Sequence, residues 1–179
     1  RSYQDTYSDP GSFVSTLNKY GVSVLDLNRS TAYLIGDGFS DKGQFPFIDA
    51  INLENGKTNR LYESTYTDKA ENILRAIDLS KGTVLVRIES QNEYPNYYIR
   101  NIKRKNILTQ LTDFDNPFKS LSEVHKEVIT YPREDGLELS GTLYLPADYD
   151  GKEKLPMILW AYPREYKDRS TASQTTSNP

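Results

Sequence analysis

The chain contains no cysteine, and histidine, tryptophan and methionine occur once each. Disulfides and thiolate metal sites are therefore excluded, although the absence says little about compartment. No apolar stretch approaches the ~20 residues that a membrane-crossing helix needs. A formal net charge of −3, without a long basic run, argues against a nucleic-acid partner. The G-x-S-x-G turn that lifts a serine nucleophile is missing as well. Ser140-Gly141 belongs to an alternating stretch, and Gly36-Asp37-Gly38 has no serine at the required place. With His125 as the sole imidazole and no nucleophile beside it in the sequence, this chain is expected to be inactive as a hydrolase by itself. Neither a cofactor nor a metal is expected.

Tyrosine is abundant instead. Fourteen of them favour sheet, since aromatic rings pack well on a pleated, half-buried surface. Asp9-Pro10-Gly11 is a turn signal in a polar start. From Val22 to Tyr66 short strands alternate with turns: GVSVLDL, TAYLIG, FIDAINL and Asn59–Thr65, with Asn55-Gly56 marking a hairpin. Residues 72–113 repeat the theme as NILRAID, TVLVRIES, NYYIRNI and NILTQLT. The two segments are weakly self-similar. Asn59-Arg60-Leu61 corresponds to Asn106-Ile107-Leu108, and Ile51-Asn52-Leu53 to Arg100-Asn101-Ile102. That offset lies within the ~40–50-residue period of propeller repeats.

Phe114–Lys126 breaks the pattern, with a turn at Asn116-Pro117 and a short helical turn expected near Ser120–Glu123. Next comes KEVITYPREDGLELSGTLYLP, an alternation folded about Asp135-Gly136. Leu137, Leu139, Leu143 and Leu145 share one face of its second half, and Glu138, Ser140, Thr142 and Tyr144 the other. Met157–Ala161 alternates less and reads as a short strand buried on both faces. The polar residues 167–179 are expected to be disordered in isolation.

Three further clusters invite a chemical reading. Gly36–Asp41 carries carboxylates and a hydroxyl but lacks the ligand alternation of a calcium loop, so a solvated loop is expected. Lys103-Arg104-Lys105 reads as a solubilising hairpin tip. Tyr94, Tyr97 and Tyr98 read first as strand packing and second as an aromatic binding patch.

The pattern DG-x-x-L-x-G-x-L-Y-L-P, polar loop, LPMILWAYP resembles the start of the catalytic domain in the prolyl oligopeptidase family of serine peptidases. WAYPREYKDRSTASQTTSNP is most similar to its glutamyl endopeptidase or dipeptidyl aminopeptidase-like branch, where Tyr-Pro replaces Tyr-Gly-Gly, and the resemblance implies either cleavage after Glu or Asp or a dipeptidyl- or oligopeptidase activity. The start, QDTYSDPG, resembles a stretch inside the propeller of that family. The resemblance implies a mainly β chain in three parts: propeller-type blades over 1–118, a linker over 119–126, and the first strands of an incomplete α/β-hydrolase domain over 127–179. It also implies that the nucleophile, acid and histidine of the triad all follow this sequence, so that His125 is a linker or surface residue. Tyr162 stands where the family places a tyrosine that donates its hydroxyl to the oxyanion, and a core or rim tyrosine is the competing reading. The partners implied are a peptide substrate and the remaining blades and hydrolase domain, with no nucleic acid and no membrane. Arg1 in place of Met, and no secretory signal pattern, suggest a piece of a longer periplasmic, secreted or cytosolic protein. Open strand edges of such a piece would favour oligomers. A free-standing β-rich binding or structural module is the alternative.

Overall fold

The computed structural model describes residues 4–104, 107–121, 123–161, 166–172 and 174. Strands dominate. In chain order they are β1 (Ser12–Phe13), β2 (Ser15–Leu17), β3 (Ser23–Leu25), β4 (Thr31–Gly36), β5 (Phe39–Ser40), β6 (Gly43–Gln44), β7 (Phe47–Asn52) and β8 (Thr58–Glu63). They continue as β9 (Ala70–Asp78), β10 (Thr83–Glu89), β11 (Asn96–Asn101), β12 (Ile107–Gln110), β13 (His125–Pro132) and β14 (Glu138–Leu145). One four-residue helix, α1, covers Arg169–Ala172.

Two four-stranded antiparallel sheets carry residues 12–110, in the orders β1-β4-β7-β8 and β12-β11-β10-β9. Their registers explain the core. Tyr33 pairs with Ala50, Ile35 with Ile48, and Ile48 with Tyr62, so these five side chains share one face of the first sheet. In β10 the buried positions are Val84, Val86 and Ile88, a period of two that sets one face of the second sheet. Both faces meet in a single cluster of Tyr33, Ile48, Tyr62, Leu79, Val84, Val86 and Ile88. Each sheet thus removes the other's apolar face from water, at roughly 1.5–3 kcal/mol per fully buried large side chain.

The internal repeat has a physical counterpart. Ile51-Asn52 and Arg100-Asn101 close the third strand of each sheet, and Arg60-Leu61 and Ile107-Leu108 lie in the fourth. The two asparagines do the same work. Asn52 Oδ1 accepts from the backbone N–H of Glu54 and Asn55, and Asn101 Oδ1 from those of Lys103 and Arg104. Each side chain mimics a turn and starts the chain back into the next strand.

GVSVLDL departs from expectation. Its Ser23–Leu25 pairs with β2 in a small side hairpin, and β1 takes the place beside β4. Val14 is the wedge: its N–H donates to Tyr33 O and its carbonyl accepts from Asp26 N. The slot next to β4 is already filled, and the approach of GVSVLDL to it is limited to the Asn28–Thr31 bridge.

Gly38 is a turn position that tolerates nothing larger. Gly38 has φ +66, and a Cβ there would sit 1.8 Å from Phe45 O. Gly38→Ala is therefore expected to destabilise the sheet pair by about 2–3 kcal/mol, read as a lower urea midpoint. A loss below 0.5 kcal/mol would show that the loop relaxes. Between β9 and β10, Asp78 accepts from Ser80 Oγ and from the N–H and ammonium of Lys81. These bonds, Ser80's first, hold its pKa down to about 2. A depressed carboxylate stabilises the fold above its unfolded value near 3.8, and that contribution is lost as pH falls through 2. Asp78→Asn should flatten the stability profile between roughly pH 4 and 2, as followed by circular dichroism.

The last third holds the Asp135-Gly136 hairpin as expected. β13 and β14 pair from His125–Leu145 to Pro132–Glu138, and Gly136 takes φ 77. The leucine face of β14 is the more covered one, although no residue of either strand is buried. Two expectations fail here. Met157–Ala161 forms no strand, and Ile158 and Trp160 are 95% and 89% exposed. β13 and β14 pair only with each other, and this apolar run joins neither of them among the described residues. Residues 167–172, expected to be disordered, form α1 and its cap, with Thr171 buried, while 173 and 175–179 lie outside the described residues. Asp168 caps it by accepting from Thr171 N at 2.9 Å. The helical turn near Ser120 is a 3-10 turn over Lys119–Leu121.

Candidate functional site

Tyr162 lies outside the described residues. His125 opens β13 and is a surface residue, one of the two expected readings; its side chain is exposed and its Nε2 is 3.3 Å from Glu127 Oε2. An imidazole and a carboxylate on one exposed strand face, without a serine hydroxyl bonded to the ring, do not make a catalytic relay. Among the described residues, no three His, Cys, Asp or Glu side chains gather to hold a metal ion. Nor is any described helix long and apolar enough to cross a membrane.

The tyrosine cluster is divided by its strand. Tyr98 packs on the shared core, while Tyr97 meets Phe114 edge-on at 6.3 Å. Strand packing, the first reading, accounts for both. In the Gly36–Asp41 loop, Ser40 Oγ donates to Gly43 O at 2.9 Å and closes the β5–β6 turn. Lys103 reaches back to donate to Ser80 O at 2.7 Å, which ties the tip of the β11–β12 turn to that of β9–β10. Lys105 lies outside the described residues.

The most heavily built polar cluster was not singled out by sequence reasoning. Glu71 and Arg100 point into the layer between the sheets, with side chains 0% and 6% exposed. Arg100 Nε donates to Glu71 Oε1 at 2.7 Å, and the Tyr62 hydroxyl donates to Glu71 Oε2 at 2.6 Å. The guanidinium also donates to the Tyr66 hydroxyl and lies 5.2 Å from the Tyr62 ring centroid. Burial, followed by the bond to the Glu71 carboxylate, pushes the Tyr62 phenol well above its ordinary range and keeps it a donor. Burial opposes the charge on Arg100, but the Glu71 carboxylate and the Tyr66 and Tyr62 hydroxyls together outweigh it, and the net shift is upward. Each of these groups is paired with another, and the arrangement clamps two sheets. Its signal in the sequence is parity: Glu71 and Arg100 occupy the inward positions of β9 and β11, across from Ile88 and Val84.

A second buried charge sits on the opposite face of the first sheet. Asp49 pairs with Arg60, whose guanidinium stacks 3.9 Å above Phe47 and also reaches Glu63. On the far side, a groove runs between β1, the β2–β3 hairpin and β9, lined by Phe13, Ser15, Leu17, Ile73, Arg75 and Ile77. It is open and largely polar, and it contains no paired acid and base.

No family model matches the chain. Two curated plant proteins align with all of it. A probable chloroplastic glutamyl endopeptidase of Oryza sativa subsp. japonica is 31% identical over 194 residues, and one of Arabidopsis thaliana is 31% identical over 195. The chain spans 21% and 20% of their lengths. Among solved structures, a variant of the AtxE2 isopeptidase with Astexin3-dC4 bound is similar at a TM-score of 0.40 and 18% identity. That likeness covers 71% of this chain and 18% of the other, and is too slight to bear on the fold.

Proposed function

We propose that the chain is part of a serine peptidase of the glutamyl endopeptidase kind. The observation that carries this reading is the alignment of the whole chain, at 31% identity, with two proteins of that name. On this reading the two sheets are consecutive propeller blades, and residues 127–179 begin a hydrolase domain whose triad lies elsewhere in the parent protein. Two features support it: the sheets pack face to face with equivalent asparagine turns, and a separate hairpin leads into an exposed apolar run. Such a run is what an incomplete central sheet would present, since its partners come from later in the chain. Tyr162, just beyond it, is the proposed oxyanion donor. The substrate would be a peptide, with acidic residues preferred at the cleavage site.

The test is hydrolysis of a chromogenic peptide ending in Glu by the full-length gene product, with the same peptide ending in Leu as control. Cleavage of the first at several times the rate of the second supports both the reaction and its preference. A full-length product inert to both would leave a β-rich binding module as the better reading.

A further inference from the structure

The two ends of the described chain meet through side chains more than 160 positions apart. Gln174 Oε1 accepts from the Thr6 N–H and the Thr6 hydroxyl, each at 2.8 Å, and from the Tyr7 N–H at 3.3 Å. Its Nε2 donates to Asp5 Oδ1 at 2.8 Å. A second bridge runs from the Lys167 N–H to Gln4 Oε1 at 2.9 Å. A side-chain amide satisfied at both its carbonyl and its NH2 group is held in one orientation, which a lone surface contact does not achieve.

Each segment is also held by hydrogen bonds of its own. Asp5 also accepts from the N–H and hydroxyl of Ser8, which curls residues 5–8 into a turn. Asp168 caps α1 and receives the Ser170 hydroxyl at 2.7 Å. Thr171, within the helix, is 5% exposed. Such bonds within a segment lower the ordering entropy that docking costs.

We propose that Gln174 is a positioning residue: its amide clasps the segment 166–172, whose Arg169 guanidinium donates to Gly136 O in the β13–β14 turn, onto residues 4–8 and so seats the hairpin part of the chain on the sheet part. The catalytic consequence rests on the peptidase reading, whereas the clasp itself does not. Seating matters to a reaction because small displacements of positioned groups are costly in rate.

The experiment uses the full-length protein and three variants: Gln174→Glu, Asp5→Asn, and both together. Gln174→Glu replaces the amide donor with a second carboxylate against Asp5. Asp5→Asn returns a donor from the other side. In Gln174→Glu, hydrogen exchange at the amides of Thr6, Tyr7 and Lys167 should quicken by about tenfold, with β10 unchanged. For the Glu-ending peptide, kcat should fall by about tenfold with KM within about twofold. The double variant should recover both quantities to within about threefold of the parent.

Unchanged exchange in Gln174→Glu, or no recovery in the double variant, overturns the clasp. Exchange that quickens and recovers while kcat stays constant overturns the positioning role. If the parent does not hydrolyse the peptide while exchange behaves as expected, the clasp stands as a docking contact and the peptidase reading alone fails.

Discussion

Arg100→Met should lower stability by about 3–5 kcal/mol, because it leaves the Glu71 carboxylate buried without its cation. At a urea slope near 2 kcal/mol per molar, the midpoint would drop by about 2 M, read by far-ultraviolet circular dichroism of the sheets. The mutant's loss is mainly the cost of the stranded charge, which does not measure the pair's net worth. A control separates the two. Glu71→Leu, Arg100→Met and Tyr62→Phe together remove both charges and the hydroxyl that needs an acceptor. That combination should return to within about 1–2 kcal/mol of the parent, since well-packed apolar groups of similar volume replace buried ion pairs at little cost. If the single and combined variants were equally unstable, the cluster would matter for its shape and not for its charge balance.

The second large effect concerns the proposed reaction. In the full-length protein, Tyr162→Phe should lower kcat by about 10²–10³ with little change in KM, the usual loss for one oxyanion donor. The reasoning is differential. A phenol aimed at the carbonyl oxygen gains strength as that oxygen acquires charge, so removing it raises the barrier more than it weakens substrate binding. A core or rim tyrosine behaves otherwise: its loss would move the melting midpoint or KM and leave kcat within about twofold. Measuring both constants and the melting midpoint for Tyr162→Phe decides between the two roles.

The second sheet was legible in the sequence almost strand for strand. NILRAID, TVLVRIES, NYYIRNI and NILTQLT overlap β9 to β12 because alternation exposes one face and buries the other, and nothing competes with it there. The Asp135-Gly136 hairpin was legible for a similar reason, with a glycine at positive φ between two alternating runs. The first sheet was read less well. β1 has two residues, too short for any periodicity, and a pairing partner some twenty residues away took the slot that local sequence offered to GVSVLDL. Met157–Ala161 looked like a strand because composition reports a preference for burial, whereas pairing needs a neighbouring edge. The Glu71–Arg100 clamp was hidden because each member looks like an ordinary polar residue within an alternating strand. Their meeting depends on the register of β10 with both β9 and β11. The Gln174 clasp joins two polar segments that carry no pattern at all.

The Tyr62 hydroxyl gives the two sheets an addressed fit. It comes from the fourth strand of one sheet and satisfies an acid on the first strand of the next. A new four-stranded unit inserted between residues 63 and 70 would separate the hydroxyl from its acid. The junction is therefore a poor place for such an array to lengthen by duplication.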